Sequence, residues 1–166
     1  FVSGTKAIVF AINEQQKLRT GVTPCQSGRR ACSNATCYFR INYCITCHVI
    51  GELGVDVGPN LTGFGQRFPS EIVAKAIVDP SAEISLGFEA QHLVTKKDGH
   101  NIMGIVLAEG DPIIVKSMGG ITQSIPAADL KSKTPMKRSL MLSANQLGLT
   151  AQDVADVVEF LRNGEQ

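Results

Sequence analysis

The chain has 166 residues, 19% of them charged, and a formal net charge of +1, which fits one domain or one domain with a large insertion. So even a balance favours neither nucleic acid nor an anionic membrane surface as a partner. No apolar run approaches the ~20 residues that a membrane-spanning helix requires.

Residues 1–28 read as an N-terminal extension. Ala7 to Ile12 suggests a short strand, and Gly21 to Gly28 a loop. A start at Phe1 rather than Met reads as a processed or trimmed product. Cys25, Cys32 and Cys37 follow. An odd number of thiols leaves one over if a disulfide forms, and the spacing does not choose the pairing. A helix is expected over about 29–48, although Ser33, Asn34 and Thr36 are weak helix formers.

That helix would end in Cys44-Ile45-Thr46-Cys47-His48. C-x-x-C-H is the attachment signature of a c-type haem. Two thiols on one turn add to the two vinyl groups of a porphyrin, and the next residue places an imidazole under the iron. A zinc site would need a second ligand pair at matching spacing, and neither His92 nor His100 sits in one. A redox C-x-x-C would want a preceding strand and a βαβ context, which the flanking sequence does not show. Cys32–Cys37 is not a second haem site, because no His follows Cys37. A buried macrocycle would also supply apolar mass to a chain with no Trp and only 5% aromatic residues. Covalent haem attachment takes place outside the reducing cytoplasm, so the motif points to a periplasmic or otherwise exported protein.

Gly51, Gly54 and Gly58-Pro59 mark a long loop after the motif. Pro69-Ser70-Glu71 opens a helix with Ile72, Ala76 and Ile77 on one face, and Asp79-Pro80 stops it. Three or four short antiparallel strands are expected across about 88–126, split by turns such as Lys97-Asp98-Gly99 and Gly110-Asp111-Pro112. The last element is a helix. Thr150 and Asp153 resemble a capping box, and Val154, Val157, Val158 and Leu161 recur at helical spacing ahead of Gly164.

A low-spin haem needs a second axial ligand. Met103, Met118, Met136, Met141, His92, His100 and the spare thiols are candidates, and position alone does not separate Met136 from Met141.

From Cys44 onward the chain resembles the haem-binding domain family of c-type cytochromes found in planctomycetes and their relatives. The resemblance is carried by Cys44–His48, by Gly58-Pro59-Asn60-Leu61-Thr62 and by Ile77-Val78-Asp79-Pro80-Ser81-Ala82-Glu83-Ile84. Lys97-Asp98-Gly99 with Gly104, and Ser139-Leu140-Met141 ahead of Leu149-Thr150-Ala151-Gln152-Asp153-Val154, add to it. It implies a mainly α fold, a cytochrome c fold around one covalent haem. The antiparallel β insertion at about 88–126 would lie between the middle and C-terminal helices of a single domain over 29–166. It implies His48 as proximal iron ligand, the Pro59 carbonyl orienting that imidazole, Leu61 at the cofactor and Met141 as distal ligand. The chain departs from the family at Leu142, where proline usually follows the methionine, and in its N-terminal cysteines.

The expected function is electron transfer by an exported monohaem protein, as a free carrier, a subunit or the haem module of a larger redox protein. Its partners would be a redox donor and acceptor, and it would not itself be an enzyme. Lys131, Lys133, Lys137 and Arg138 read first as a solvated loop and, alternatively, as a basic patch at the haem edge that would steer an acidic partner. The alternative is a ligand-binding or sensing haem protein with a labile or thiolate distal ligand. No distal His–Arg arrangement suggests a peroxidase.

Overall fold

The structure, a computed structural model, describes residues 43–163. The expected strand at Ala7–Ile12, Cys25, Cys32, Cys37 and the greater part of the helix expected over 29–48 lie outside the described residues. Only the last helical residues, Tyr43 and Cys44, enter them.

A short hairpin follows the motif: β1 (Val49–Ile50) pairs antiparallel with β2 (Leu53–Gly54). Helices α1 (Phe64–Arg67) and α2 (Ser70–Val78) come next. Pro69 precedes α2 with extended backbone, and Asp79 ends it, returning its N–H to Lys75 O at 2.8 Å. Five strands then follow: β3 (Ala90–Thr95), β4 (Asn101–Ala108), β5 (Ile113–Lys116), β6 (Thr122–Ile125) and β7 (Leu130–Pro135). They form one antiparallel sheet in the order β6-β5-β4-β3-β7. Helix α3 (Ala151–Asn163) closes the described chain.

The periodicities decide two cores. On α2 and α3, Val73, Ala74, Ile77, Val154, Val157, Val158 and Leu161 turn to one side and join Ile50 and Ala144 in a buried cluster. On the sheet, Leu93, Ile113, Val115 and Ile125 form a smaller one; Ile113 and Val115 are two residues apart, the spacing of one strand face. Helix α1 reaches α3 because residue 65 has no side chain. A Cβ on Gly65 would lie 2.5 Å from the carbonyl carbon and oxygen of Leu161.

The expected mainly α, cytochrome c architecture is corrected by this arrangement. The described chain is mainly β, a five-stranded antiparallel sheet plus a hairpin, with three helices among the described residues. Two segments account for the difference. The stretch read as a long loop after His48 contains the hairpin. The β segment read as ending near residue 126 continues through β7, which pairs with β3 in register Leu93↔Lys133 and His92↔Thr134. β7 is an edge strand reading Leu-Lys-Ser-Lys-Thr-Pro, mostly exposed. Its residues show no apolar alternation, so only pairing with β3 makes it a strand.

Candidate functional site

The attachment motif folds as a closed turn. The N–H groups of Cys47 and His48 both donate to Cys44 O, at 3.1 and 2.9 Å, which puts the two thiols on one turn, each half-buried. The hairpin then reverses the chain beneath them. This reversal needs glycine at position 54, where φ is +108° and a Cβ would meet His48 O at 2.0 Å. The returning strand is stitched to the motif: Val55 N–H donates to Ile45 O at 3.0 Å, and Val57 and Gly58 N–H both donate to Cys47 O at 3.0 and 2.6 Å.

These bonds deliver the Pro59 carbonyl to the imidazole. His48 Nδ1 lies 2.7 Å from Pro59 O. A carbonyl only accepts, so Nδ1 carries the proton and Nε2 keeps its lone pair. Among the described residues no hydrogen bond engages Nε2. Gly58 lies flat against the ring: a Cβ there would be 2.6 Å from Cε1, 2.8 Å from Nδ1 and 3.1 Å from Nε2. His48 is only 8% exposed. That burial pushes the His48 pKa below 6.5, opposed by the Pro59 hydrogen bond, which favours the charged form. The imidazole is therefore held neutral, in one tautomer and one orientation, as a metal ligand must be.

Burial raises the Cys44 pKa above 9.0, offset in part by a backbone hydrogen bond and reinforced by Cys47. A thiol–disulfide exchange motif depends on a thiolate at neutral pH, and Cys44 is displaced away from that state. Two half-buried thiols on one turn, an Nε2 unengaged among the described residues and a ring face cleared by glycine fit a c-type haem. Cys44 and Cys47 would hold its edge, and His48 its iron.

Leu61 and Met141 pack against the helical core together with Cys44, Ile45 and Phe64. Leu61 N–H donates to Val49 O at 2.9 Å. The Met141 loop is tied down at three points. Ser139 N–H donates to Ser81 Oγ at 3.1 Å, Met141 N–H to Ser139 Oγ at 3.1 Å, and Ala144 N–H to Ile77 O at 2.9 Å. The other candidate ligands stand elsewhere. Met103 and Met118 are each 46% exposed. Met136 extends the sheet edge, its N–H on Ala90 O at 2.9 Å. His92 Nε2 is 2.9 Å from Asn101 Oδ1, and His100 Nδ1 is 3.1 Å from Asp98 Oδ2.

The sequence points to the thiols and His48, and the resemblance to Pro59; neither points to Gly58 against the ring or to the carbonyl of Cys47. Gly58 stands immediately before Pro59, and that pairing is the only local signal of its role. The basic residues ahead of Met141 are not equivalent. Lys133 Nζ is 2.6 Å from Glu109 Oε1 and also meets Oε2, whereas Lys131, Lys137 and Arg138 are exposed.

Among the described residues no group of three or more His, Cys, Asp or Glu side chains is placed to hold a metal ion. None of their helices is long and apolar enough to cross a membrane. No protein-family model matches the chain, and comparison with curated proteins yields no match.

Proposed function

We propose that this chain carries one covalent c-type haem on Cys44 and Cys47 and relays single electrons between redox partners. The observation that carries this reading is the His48 imidazole, with Nδ1–H on Pro59 O at 2.7 Å and Nε2 unengaged among the described residues. A bound haem would supply the one-electron chemistry, its potential set by axial ligands and burial. His48 would hold the iron through Nε2, and the Pro59 carbonyl on Nδ1 would fix its tautomer and increase its donor strength. Met141, packed against the helical core with Cys44, would be the second residue to hold the iron; a thioether would favour Fe(II) and raise the potential relative to a thiolate. Leu61, partly buried against the same core, would add apolar surface to the pocket. The resemblance to the planctomycete-type haem-binding family supports this ligand set. An exported location follows from the chemistry of attachment, and the protein acts as a carrier, a subunit or the haem module of a larger redox protein.

The test is the absorption spectrum of the oxidised protein after expression with a haem-attachment system. A weak far-red band from methionine sulfur on ferric iron is expected, and Met141→Ala abolishes it while Met136→Ala leaves it. Loss of the band in Met136→Ala instead would move the distal ligand to that residue. Leu142 at the position after Met141 favours one second reading, a displaceable distal ligand and a gas-binding role. Rapid carbon monoxide or nitric oxide binding by the wild-type protein would establish that reading in place of electron transfer.

A further inference from the structure

The segment that holds His48 is itself held by the sheet. Val57 and Gly58 bond inward to Cys47 O. On the outer side Lys116, at the end of β5, donates from Nζ to the backbone carbonyl of Asp56 and lies 3.3 Å from Asp56 Oδ2. The Lys116 side chain is 20% exposed, whereas that of Asp56 is 77% exposed; the lysine crosses to the loop rather than reaching into solvent. A second contact lies beside it: a Cβ on Gly120, where φ is +77°, would meet Val55 Cγ1 at 2.5 Å. Lys116 thus bonds to, and the Gly120 backbone closely approaches, the residues that lead to Pro59. Lys116 and Gly120 are sixty and sixty-five positions from Asp56 and Val55.

We propose that Lys116 is a positioning residue for His48. By capping the Asp56 carbonyl it locks the 55–59 loop, so that Pro59 stays on Nδ1. Through this contact the β sheet governs how firmly the proximal imidazole is held, and hence its donor strength toward iron. The consequence for iron rests on the haem reading above; the effect on the loop does not.

The test is hydrogen exchange by NMR in the full chain, with and without attached haem, following the Val57 and Gly58 amides and, in the haem-bound form, His48 Nδ1–H. Lys116→Met should accelerate these sites at least tenfold, and Lys116→Arg, which keeps a donor, should restore much of the protection. Gly120→Ala, which displaces Val55, should accelerate the same amides and serves as the second variant if Lys116→Met folds poorly. Lys96→Met is the control, since Lys96 Nζ also donates from the sheet to a backbone carbonyl, Ala128 O at 2.8 Å. Unchanged exchange in both Lys116→Met and Gly120→Ala, or equal acceleration in Lys96→Met, overturns the proposal. Failure of the wild-type chain to attach haem overturns the haem reading instead, and the amide comparison still decides the role of Lys116.

Discussion

At His48, one ring is fixed from two directions, by a carbonyl at its edge and a glycine at its face. The face contact is the more sensitive of the two. Gly58→Ala would place a methyl 2.6 Å from Cε1, and the ring is the side that must yield. The expected result is a drop of several-fold in haem attached per chain and a loss of about 1–3 kcal/mol in stability, the usual range for overpacking. Haem absorbance per polypeptide and a denaturant titration measure the two effects. Wild-type haem content in Gly58→Ala would show that the ring has room to shift.

Among the elements, an exacting contact is where α1 crosses α3. A methyl on Gly65 meets the Leu161 backbone rather than a flexible side-chain end, so Gly65→Ala must move a helix. A destabilisation of about 1–3 kcal/mol, or more, is expected, read as a lowered melting temperature. The start of α3 depends on Thr150 and Asp153. Thr150 N–H and Oγ1–H donate to Asp153 Oδ2 at 2.8 and 2.7 Å, and Asp153 N–H returns to Thr150 Oγ1 at 3.2 Å. Asp153→Ala removes the carboxylate half of this box and should cost about 1–2 kcal/mol, measured by denaturant unfolding.

The β3–β4 connection is pH-dependent in a defined direction. The Asp98 carboxyl is held below 3.8, first by the Thr95 hydroxyl and then by the His100 backbone N–H. A carboxylate with a depressed folded pKa adds stability above its unfolded pKa. That stability fades as pH falls through the lower folded value. Protection of the hairpin amides, taken relative to intrinsic exchange at each pH, should therefore weaken as pH drops below about 3.8, and Asp98→Asn should flatten that dependence. A hairpin equally acid-sensitive in Asp98→Asn would assign the effect to other groups.

Over the whole molecule, the exposed charges are distributed unevenly around Met141. Glu109 neutralises Lys133 across the sheet, while Lys137 and Arg138 are exposed just before Met141. Replacing Lys137 and Arg138 with Gln should slow association with an acidic redox partner several-fold at low salt, and Lys133→Gln should do less. The difference should fade as ionic strength shortens the Debye length toward ~10 Å at 0.1 M. Stopped-flow rates across a salt series check this, and rates independent of salt would remove electrostatic docking.

What the sequence determined by itself is local. The C-x-x-C-H spacing places two thiols and an imidazole on one turn, Val154, Val157, Val158 and Leu161 at i, i+3, i+4, i+7 make α3, and the Asp98-Gly99 turn marks a hairpin, because each depends on residues within one or two turns of each other. The structure alone decided whatever depends on distant partners. Tautomer and ring orientation at His48 come from Pro59, eleven residues away. The backbone approach at Gly54, the Gly65–Leu161 crossing and the Lys116 bond to Asp56 have no periodic signature. β7 is a strand only because β3 lies beside it, and that pairing tilts the described chain to a mainly β architecture where the motifs had implied a mainly α one. Motif chemistry is written in adjacent side chains, whereas layer architecture is set by which backbones find each other in space.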